Sequence, residues 1–520
     1  MNPVHHVNER AASSAKSCII VMPDLCRFPG LARRCTGDRE PFHPPPLEAK
    51  PMLNLINLRP PLVAALAAVS IGATAGATAG ATAGAPSRPT LAQTLDSIAG
   101  SGIAAGRAAG MVAAVVRGND TLLFKEYGRA DVEWDVPMPA DAIFEVGSVT
   151  KQFTAAAILQ LRDQGKLSLE DDITKWLPDF DTRGNRVPLR RLLDHTSGIV
   201  GLTEMPEFGI LVSNPRFPRD SAYALIRRYP FQFPTGTAQI YNNSAFWLLG
   251  LVVEKASGMT YEDYVEKQLF QPLGMSRSMY CNSSENVPRR AHGYFIQNGV
   301  VRRAPSNVHT WPFAAGSICS TTGDLVAWLQ ALHGGKVLSP TSYAEMIGPS
   351  RLDDGTPTSY GLGLMLNTDA EGRRYIGHGG TVDGFGAETA WYPDAQLAVV
   401  VLMNSLGGLN PGSVGARLAA EVLPGTAPAL AQFTGDAAPL LGRYQGPSRG
   451  RDMLVEVTQT PEGIAFSVNG SPARPAVWVE GWTFRQGSGT ILSFRRSGES
   501  GPAAELRYSS PGAHYVLKRQ

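Results

Sequence analysis

The chain has 520 residues, of which 18% are charged, and a formal net charge of +2 at pH 7. This length allows two or three domains with a sizeable core. The charges are spread without a basic block, so the electrostatic footprint of a nucleic-acid-binding protein is absent. The five cysteines form no C-x-x-C pair and the chain has no H-E-x-x-H motif. We therefore expect no zinc or other metal site and no cofactor.

The first 85 residues differ in composition from the rest. Residues 1–51 mix Pro, Arg, His and three cysteines without an apolar period, and we predict that they are a non-native extension ahead of a true start at Met52. Residues 52–85 have the pattern of a signal peptide, with an apolar segment followed by small residues. We expect an exported protein, periplasmic or secreted. The alternative is a single membrane anchor near residues 60–83.

Residues 91–424 have the pattern of one mixed domain. Runs at 111–117 and 121–127, joined by Gly118-Asn119-Asp120, predict a β-hairpin. Helical periods follow at 151–164, 244–257, 261–270 and 322–333. Strand-like runs return at 387–392 and 397–404. Strands at both ends with helices between them predict an α+β sheet domain with a mostly helical insert.

The character of the sequence changes after residue 424. Residues 425–439 are rich in Ala, Pro, Gly and Thr and are predicted to form a linker. Residues 440–520 contain short alternating runs separated by turn residues, which predicts a small all-β barrel or sandwich. We expect this module to have a core separate from that of the first domain and to contain no catalytic constellation.

Ser148 and Lys151 have S-x-x-K spacing at the start of an apolar helical run over residues 153–161. Residues three apart share a helix face, so the lysine amine can reach the serine hydroxyl. The positive N-terminus of a helix disfavours a nearby cation. It therefore favours the neutral amine that is needed to activate a serine nucleophile.

Two further patterns follow along the chain. Tyr241 and Asn243 come after a Pro-Thr-Gly turn and are two residues apart, so in an extended segment the phenol and the amide point the same way. The stretch Gly377-His378-Gly379-Gly380-Thr381 precedes a predicted strand. Its glycines allow the backbone to approach a bound substrate. Each pattern alone is weak, but in this order the three are specific.

In these motifs the chain resembles the serine β-lactamase and penicillin-binding-protein superfamily, in its class C-like branch of esterases, D-stereospecific peptidases and related hydrolases. That branch carries S-x-x-K, Y-x-N, and K-T-G or H-x-G. The resemblance extends over residues 91–404. It implies an α+β, β-lactamase/transpeptidase-like fold, in which an antiparallel sheet is flanked by helices and joined to a helical subdomain. The C-terminal segment is similar to lipocalin-like barrels appended to some members.

The resemblance also implies roles for individual residues. Ser148 is the implied nucleophile that forms an acyl-enzyme, Lys151 takes up its proton, and Tyr241 passes protons to the leaving group. Tyr241 needs nearby cations for this, and the candidates are Lys151 and His378. The backbone N–H groups of Ser148 and Thr381 are the implied oxyanion hole. The residues implied in substrate binding are Asn243, His378, Gly380 and Thr381.

We therefore expect an exported serine hydrolase that acts on esters, amides or β-lactams, most in keeping with an esterase or a D-stereospecific peptidase. The alternatives are a β-lactamase proper and a catalytically silent penicillin-binding or regulatory relative. Where β-lactamases have Lys, this chain has His378, which is mostly neutral at pH 7 and charged below about pH 6.5 when unperturbed. This favours esters or peptides over penicillins. The expected partner is a small-molecule or peptide substrate, with cell-wall contact left open, no nucleic acid and no required protein partner.

A histidine, a G-x-S-x-G match and a pair of cysteines are predicted to have structural and not catalytic roles. His195 is assigned to a loop role, since the superfamily uses Lys and Tyr instead of a histidine base. The stretch Gly446-Pro447-Ser448-Arg449-Gly450 matches G-x-S-x-G, but no helical pattern follows it, so we predict a loop and not a nucleophile elbow. Cys281 and Cys319 are expected to be buried free thiols, with a bridge as the alternative in an oxidising compartment.

Overall fold

The structure is a computed structural model and describes residues 89–213, 217–369, 371–425, 433–487 and 489–520. The predicted extension 1–51, the predicted signal peptide 52–85 and part of the predicted linker lie outside the described residues. The chain divides into the units Met1–Ala83 and Gly84–Gln520, and the following concerns the second unit. Among the described residues, no helix combines the length and the apolar character needed to cross a membrane.

We call the first part of this unit, from Leu91 to Val422, the sheet domain. Its helices are α1 (Leu91–Ala104), α2 (Thr150–Asp163), α3 (Ile173–Trp176), α4 (Leu189–Leu193), α5 (Phe208–Ser213), α6 (Arg219–Arg228), α7 (Asn243–Ser257), α8 (Tyr261–Tyr264), α9 (Phe313–Gly316), α10 (Thr322–His333), α11 (Pro340–Ile347) and α12 (Pro411–Val422). Its strands are β1 (Gly110–Arg117), β2 (Asp120–Asp131), β3 (Val136–Pro137), β4 (Phe144–Glu145), β5 (Gln239–Ile240), β6 (Met279–Tyr280), β7 (Tyr294–Gln297), β8 (Val300–Arg303), β9 (Ile318–Ser320), β10 (Met365–Thr368), β11 (Arg374–Val382), β12 (Phe385–Tyr392), β13 (Leu397–Met403) and β14 (Ser405–Leu406).

The central sheet of this domain has the strand order β10-β11-β12-β13-β1-β2-β3 and antiparallel neighbours. The predicted hairpin is confirmed, because β1 and β2 pair antiparallel across the turn at Gly118. Helices α1 and α12 pack on one face of the sheet, while α2 and α10 belong to the larger core on the other face. The predicted α+β class with strands at both ends is confirmed.

Helix α2 runs through the interior of the larger core. Phe153, Ile158 and Leu159 are fully buried, as are the alanines between them, so this helix is apolar on nearly all sides. Helix α7 packs beside it. The Asn242 side chain accepts from Ala245 N at the start of α7, and Gly258 ends the helix in the left-handed region. These caps fix where α7 begins and therefore hold Tyr241 and Asn243 against the N-terminus of α2.

The C-terminal part of the chain, from Gly442 to Arg519, is the barrel. Its strands are β15 (Gly442–Pro447), β16 (Asp452–Thr460), β17 (Gly463–Val468), β18 (Arg474–Pro475), β19 (Val477–Glu480), β20 (Thr483–Gln486), β21 (Thr490–Arg495), β22 (Glu505–Ser510) and β23 (Ala513–Arg519). They form one nearly closed sheet in the order β18-β17-β16-β15-β23-β22-β21-β20-β19. The predicted small all-β barrel is confirmed, and alternate residues such as Val455, Val457 and Phe466 fill its interior.

The barrel is joined to the sheet domain through the segment that carries Tyr241. Strand β5 adds to the edge of β23, with Ile240 opposite Ala513. Phe233, Ala238 and Ile240 of the sheet domain lie in the apolar core of the barrel. The core of the barrel is a cluster distinct from those of the sheet domain, but it includes these three residues of the segment that leads into the site.

Cys281 and Cys319 form a disulfide, so the prediction of free thiols is wrong. The bridge connects the end of β6 to β9, two strands that pair with each other, and it closes a loop between positions 38 residues apart. The sequence alone could not decide for the bridge, because the two positions are brought together only by the pairing of strands that are distant along the chain.

Replacing both cysteines by Ser is expected to lower the free energy of unfolding by about 4 kcal/mol, because the open loop regains conformational entropy in the unfolded chain. Urea denaturation of the oxidised wild type and the double variant measures the difference. The reduced wild type is the control and should unfold near the variant. Equal midpoints for all three samples would contradict a structural bridge.

Candidate active site

Ser148 lies in a short 3-10 turn, Gly147–Val149, that continues directly into α2, and Lys151 lies in the first turn of that helix. The Lys151 side chain is buried. Its Nζ is 3.1 Å from Ser148 Oγ, 2.8 Å from Asn243 Oδ1 and 2.8 Å from the Ala315 carbonyl oxygen. The predicted pair is thus brought together by the helix start.

The surroundings of Lys151 favour an uncharged amine. Burial lowers the pKa of Lys151 well below its usual value, and the Arg449 guanidinium lowers it further. A neutral amine has two N–H bonds and one lone pair. Asn243 Oδ1 and the Ala315 carbonyl oxygen accept hydrogen bonds from Nζ. In the neutral amine these use both N–H bonds, and the lone pair can then take the proton of Ser148 Oγ, 3.1 Å away. The amine is therefore set up to take that proton.

Tyr241 follows β5, and Asn243 is the first residue of α7. Lys151 Nζ is 4.7 Å from the centre of the Tyr241 ring. The Tyr241 hydroxyl is buried and makes no hydrogen bond to any of the described residues. Burial raises the pKa of Tyr241, while the neighbouring Ser148 hydroxyl and the Arg449 guanidinium oppose this rise. In the free protein, Tyr241 is a neutral phenol beside the nucleophile.

Strand β11 approaches the Ser148 turn so closely that only glycine fits on both sides. A Cβ on Gly380 would lie 1.9 Å from the Val146 carbonyl oxygen and 3.1 Å from Ser148 N. A Cβ on Gly147, whose φ is +52°, would lie 2.7 Å from Thr381 N. The two backbone nitrogens predicted to form the oxyanion hole, of Ser148 and Thr381, are thereby brought to one place.

His378 lies on β11 and is 1% exposed. Its Nδ1 is 2.6 Å from the Gly379 carbonyl oxygen, which can only accept, so Nδ1 carries the proton. Burial and the nearby Lys151 lower the pKa of His378 to about 3. Its Nε2 therefore accepts from the Tyr360 hydroxyl at 3.0 Å.

The expectation that His378 becomes charged below about pH 6.5 is wrong, because the protein buries it among aromatic rings. His378 is also not a cation for Tyr241, as the sequence had suggested. The fixed positive charge near Tyr241 comes instead from Arg449, whose guanidinium carbon is 5.3 Å from the ring centre.

His195 lies beneath Tyr241. It is buried and has a φ of +63°, and its ring is tilted by 47° to that of Tyr241, with the ring centres 4.5 Å apart. Its Nδ1 accepts from Asn242 N at 3.1 Å. Burial lowers the pKa of His195 well below its usual value. This neutral ring supports the Tyr241 segment, and its Nε2 makes no hydrogen bond to any of the described residues.

A cavity of about 770 Å³ lies at this site, and Lys151 and His195 are not among the residues that line it. From the sheet domain its lining includes Ser148, Thr203, Tyr241, Asn243, Trp311, His378, Gly380, Thr381 and Glu388. The barrel contributes Arg449, Ser510, Pro511, Gly512, Ala513 and Tyr515. All four residues predicted to bind substrate line this cavity together with Ser148 and Tyr241, and the cavity has walls from both parts of the chain.

Sequence reasoning missed three charged residues at the site. Arg449 belongs to the G-x-S-x-G match that was interpreted only as a loop, and Glu204, its ion-pair partner, lies in a segment without a motif. Glu388 also lines the cavity. Within the described part of the chain its carboxyl has no hydrogen bond or ion pair, and burial raises its pKa to about 8. No local pattern marks Glu204 or Glu388.

A comparison with protein families bears on this site. Residues 95–423 match the family described as Beta-lactamase. The match covers more than half of the chain, and the chain belongs to the beta-lactamase family. With the fold and the family shown, the protein is a β-lactamase-related serine hydrolase. The superfamily resemblance drawn from the motifs is confirmed.

The chain is also similar to individual proteins and solved structures of this family. The chain is 29% identical over 306 residues to penicillin-binding protein 4* of Bacillus subtilis, covering 55% of this chain and 66% of that protein. It is 28% identical over 381 residues to a D-aminopeptidase of Cereibacter sphaeroides, covering 73% of this chain and 71% of that protein. A D-stereospecific amidohydrolase from Streptomyces sp. superposes with a TM-score of 0.55 and 27% identity, over 64% of this chain and 98% of that one.

Proposed function

We propose that this protein hydrolyses amide or peptide bonds adjacent to D-amino acid residues, through an acyl-enzyme formed on Ser148. The observation that carries the proposal is the buried Lys151 amine, 3.1 Å from Ser148 Oγ and supplied with two other acceptors. A serine hydroxyl is a weak nucleophile unless a neighbouring base removes its proton. Lys151 is the base that this arrangement offers.

The proposed reaction has two halves. Ser148 Oγ attacks the substrate carbonyl carbon while its proton passes to Lys151, and the oxyanion lies between the backbone N–H groups of Ser148 and Thr381. The C–N bond then breaks, and the leaving amine takes a proton delivered by Lys151 and Tyr241. In the second half, water attacks the acyl carbon and its proton passes to the neutral Lys151 amine, directly or through the Tyr241 hydroxyl, which gives up its own proton as it receives another. The C–O bond to Ser148 then breaks, and Lys151 returns the proton to Oγ.

The preference for D-amino acid substrates rests on the relatives and on the charge at β11. A D-aminopeptidase and a D-stereospecific amidohydrolase are among the proteins that this chain resembles. His378 is neutral where β-lactamases have a permanently charged lysine, so the site lacks that attraction for a substrate carboxylate. Esters and β-lactams remain the substrates to be tested against D-amino acid amides.

A substrate panel tests the proposal. Purified full-length protein is assayed with D- and L-phenylalanine amide, a D-Ala-D-Ala peptide, p-nitrophenyl butyrate and nitrocefin, with Ser148→Ala as the blank. We expect kcat/KM for the D-amide to exceed that for the L-amide by at least about tenfold, a difference of roughly 1.4 kcal/mol in barrier. Equal rates for the two enantiomers, or a larger rate with nitrocefin, would overturn the proposed substrate class.

The structure leads to a prediction for pH. Because the pKa of His378 is about 3, this residue stays neutral from pH 5 to pH 8. The ratio of kcat/KM for a penicillin to kcat/KM for a neutral ester should therefore have no inflection near pH 6.5. Parallel assays of the two substrates across that range measure the ratio, in which changes common to both substrates cancel. A rise in the ratio below pH 6.5 would contradict a buried, neutral His378.

We also propose that the protein is exported. The composition of residues 52–85 supports this, and the Cys281–Cys319 disulfide supports an oxidising compartment. Mass spectrometry of the N-terminus, on protein recovered from the cell envelope and from the medium, tests export and cleavage together. The proposal predicts a mature N-terminus shortly before α1, after one of the A-x-A sites. An uncleaved chain found only inside the cell would contradict it.

A further inference from the structure

The hairpin between β15 and β16 extends from the barrel to the active site. Ser448 closes its tip, because both its backbone N–H and its hydroxyl donate to the Arg451 carbonyl oxygen, at 3.0 and 2.7 Å. Gly450 has a φ of +74°, and a Cβ there would lie 3.2 Å from Glu204 Cγ. The G-x-S-x-G match is thus a tight turn that presents Arg449 to the cavity.

Arg449 is anchored on the sheet domain by two contacts. Its Nε is 2.5 Å from Glu204 Oε1, and its Nη2 donates to Thr203 Oγ1 at 3.0 Å. The Glu204 side chain is 8% exposed, while that of Arg449 is 43% exposed. The carboxylate is therefore nearly enclosed, and Arg449 provides its counter-charge.

These contacts continue to the nucleophile. Thr203 Oγ1 accepts from Asn243 Nδ2 at 3.2 Å, and Asn243 Oδ1 accepts from Lys151 Nζ at 2.8 Å. The hydrogen bonds fix the orientation of the Asn243 amide, with its oxygen toward Lys151 and its nitrogen toward Thr203. A continuous chain of polar contacts thus connects a residue of the barrel to the amine beside Ser148.

We propose that Arg449 is a positioning residue of the active site, through which the barrel sets the orientation of the Asn243 amide and places a fixed positive charge near Tyr241 and Lys151. The proposal rests on the function proposed above only in taking Lys151 as the base. It assigns the barrel a part in the chemistry of the site, in addition to the cavity wall that it contributes.

The charges around Lys151 predict the direction in which each substitution moves the pKa of its amine. Arg449 lowers the pKa of Lys151, and Glu204 raises it. The other titratable groups at this amine are Tyr241, His195 and His378. Burial keeps the histidines neutral and raises the pKa of the phenol. Removing the Arg449 cation should therefore make Lys151 easier to protonate, and removing the Glu204 anion should make it harder.

The test measures the rate at which a fluorophosphonate probe labels the full-length protein between pH 5 and pH 10. In Arg449→Met, we expect the acidic limb of the labelling rate to move to higher pH by about one unit, which is a roughly tenfold slower reaction below that limb. Glu204→Gln should move the limb to lower pH. Arg449→Lys, which keeps the charge, should hold the limb near its wild-type position.

Arg451→Met is the matched control. Arg451 lies in the same turn, its side chain is exposed, and within the described residues it makes no ion pair. This variant has the same change in net charge and should leave the limb in place. A limb unmoved in Arg449→Met, or moved equally in Arg451→Met, would overturn the proposal. A wild type that is not labelled at Ser148 would instead overturn the proposed function, so the two failures are distinguishable.

Discussion

The Ser148→Ala variant is expected to lose hydrolysis by roughly 10⁴-fold or more, the scale found when the nucleophile of a serine hydrolase is removed. The reason is that no other hydroxyl lies beside the Lys151 amine at a distance comparable to the 3.1 Å of Ser148 Oγ among the described residues. The side chain is small and half-buried, so its loss leaves no large cavity. The variant should therefore unfold at nearly the wild-type urea concentration. Initial rates on the substrate panel and a denaturation curve check both statements.

Ser317→Ala is the matched control for this variant. Ser317 is also a serine of the core region, is fully buried, and donates to the His309 carbonyl oxygen at 3.0 Å, but it is not part of the cavity lining. Its replacement should cost about 1 kcal/mol of stability through the lost hydrogen bond and leave turnover within a few-fold of wild type. Substantial residual turnover in Ser148→Ala would mean that another residue is the nucleophile.

Tyr241→Phe is expected to reduce turnover by about 10²- to 10⁴-fold, the usual contribution of a positioned acid or base. The Tyr241 hydroxyl is buried without a hydrogen bond to the described residues, so removing it breaks none of their hydrogen bonds. Stability should be equal to or slightly above that of the wild type. Steady-state kinetics should show a lower kcat with little change in KM, because the hydroxyl acts during proton transfer.

Tyr261→Phe is the matched control, and we expect it to lose stability and to keep its turnover. The Tyr261 hydroxyl is 2.7 Å from Thr154 Oγ1 and is fully buried, but it lies outside the cavity lining. Tyr261→Phe should lose about 1 kcal/mol of stability and keep its turnover. If Tyr241→Phe turns over at nearly the wild-type rate, another group moves the proton and Tyr241 only shapes the cavity.

Much of the sheet domain could be predicted from sequence because its signals are local. The turn at Gly118 between two apolar runs identifies the β1–β2 hairpin, and the apolar run after Lys151 identifies α2. Ser148, Lys151, Tyr241 and Asn243 were found from short motifs whose spacing is set by a helix or an extended segment. Such signals depend only on residues that are close in sequence, so they can be recognised before the fold is known.

The features that were missed all depend on distant parts of the chain. Arg449 meets Glu204 and Tyr241 only because β5 joins the edge of the barrel, and no local pattern encodes that contact. The low pKa of His378 results from burial beneath Tyr360 and from Lys151, neither of which its own glycine-rich segment reveals. The Cys281–Cys319 disulfide likewise follows from the pairing of two short strands.

The central claim is that Ser148, activated by Lys151, is the nucleophile of this protein. Intact mass spectrometry of the full-length protein after treatment with a fluorophosphonate, followed by peptide mapping, tests it most directly. We predict one adduct per chain, located on the peptide that contains Ser148 and absent from Ser148→Ala. An unlabelled protein, or an adduct on another residue such as Ser448, would contradict the claim.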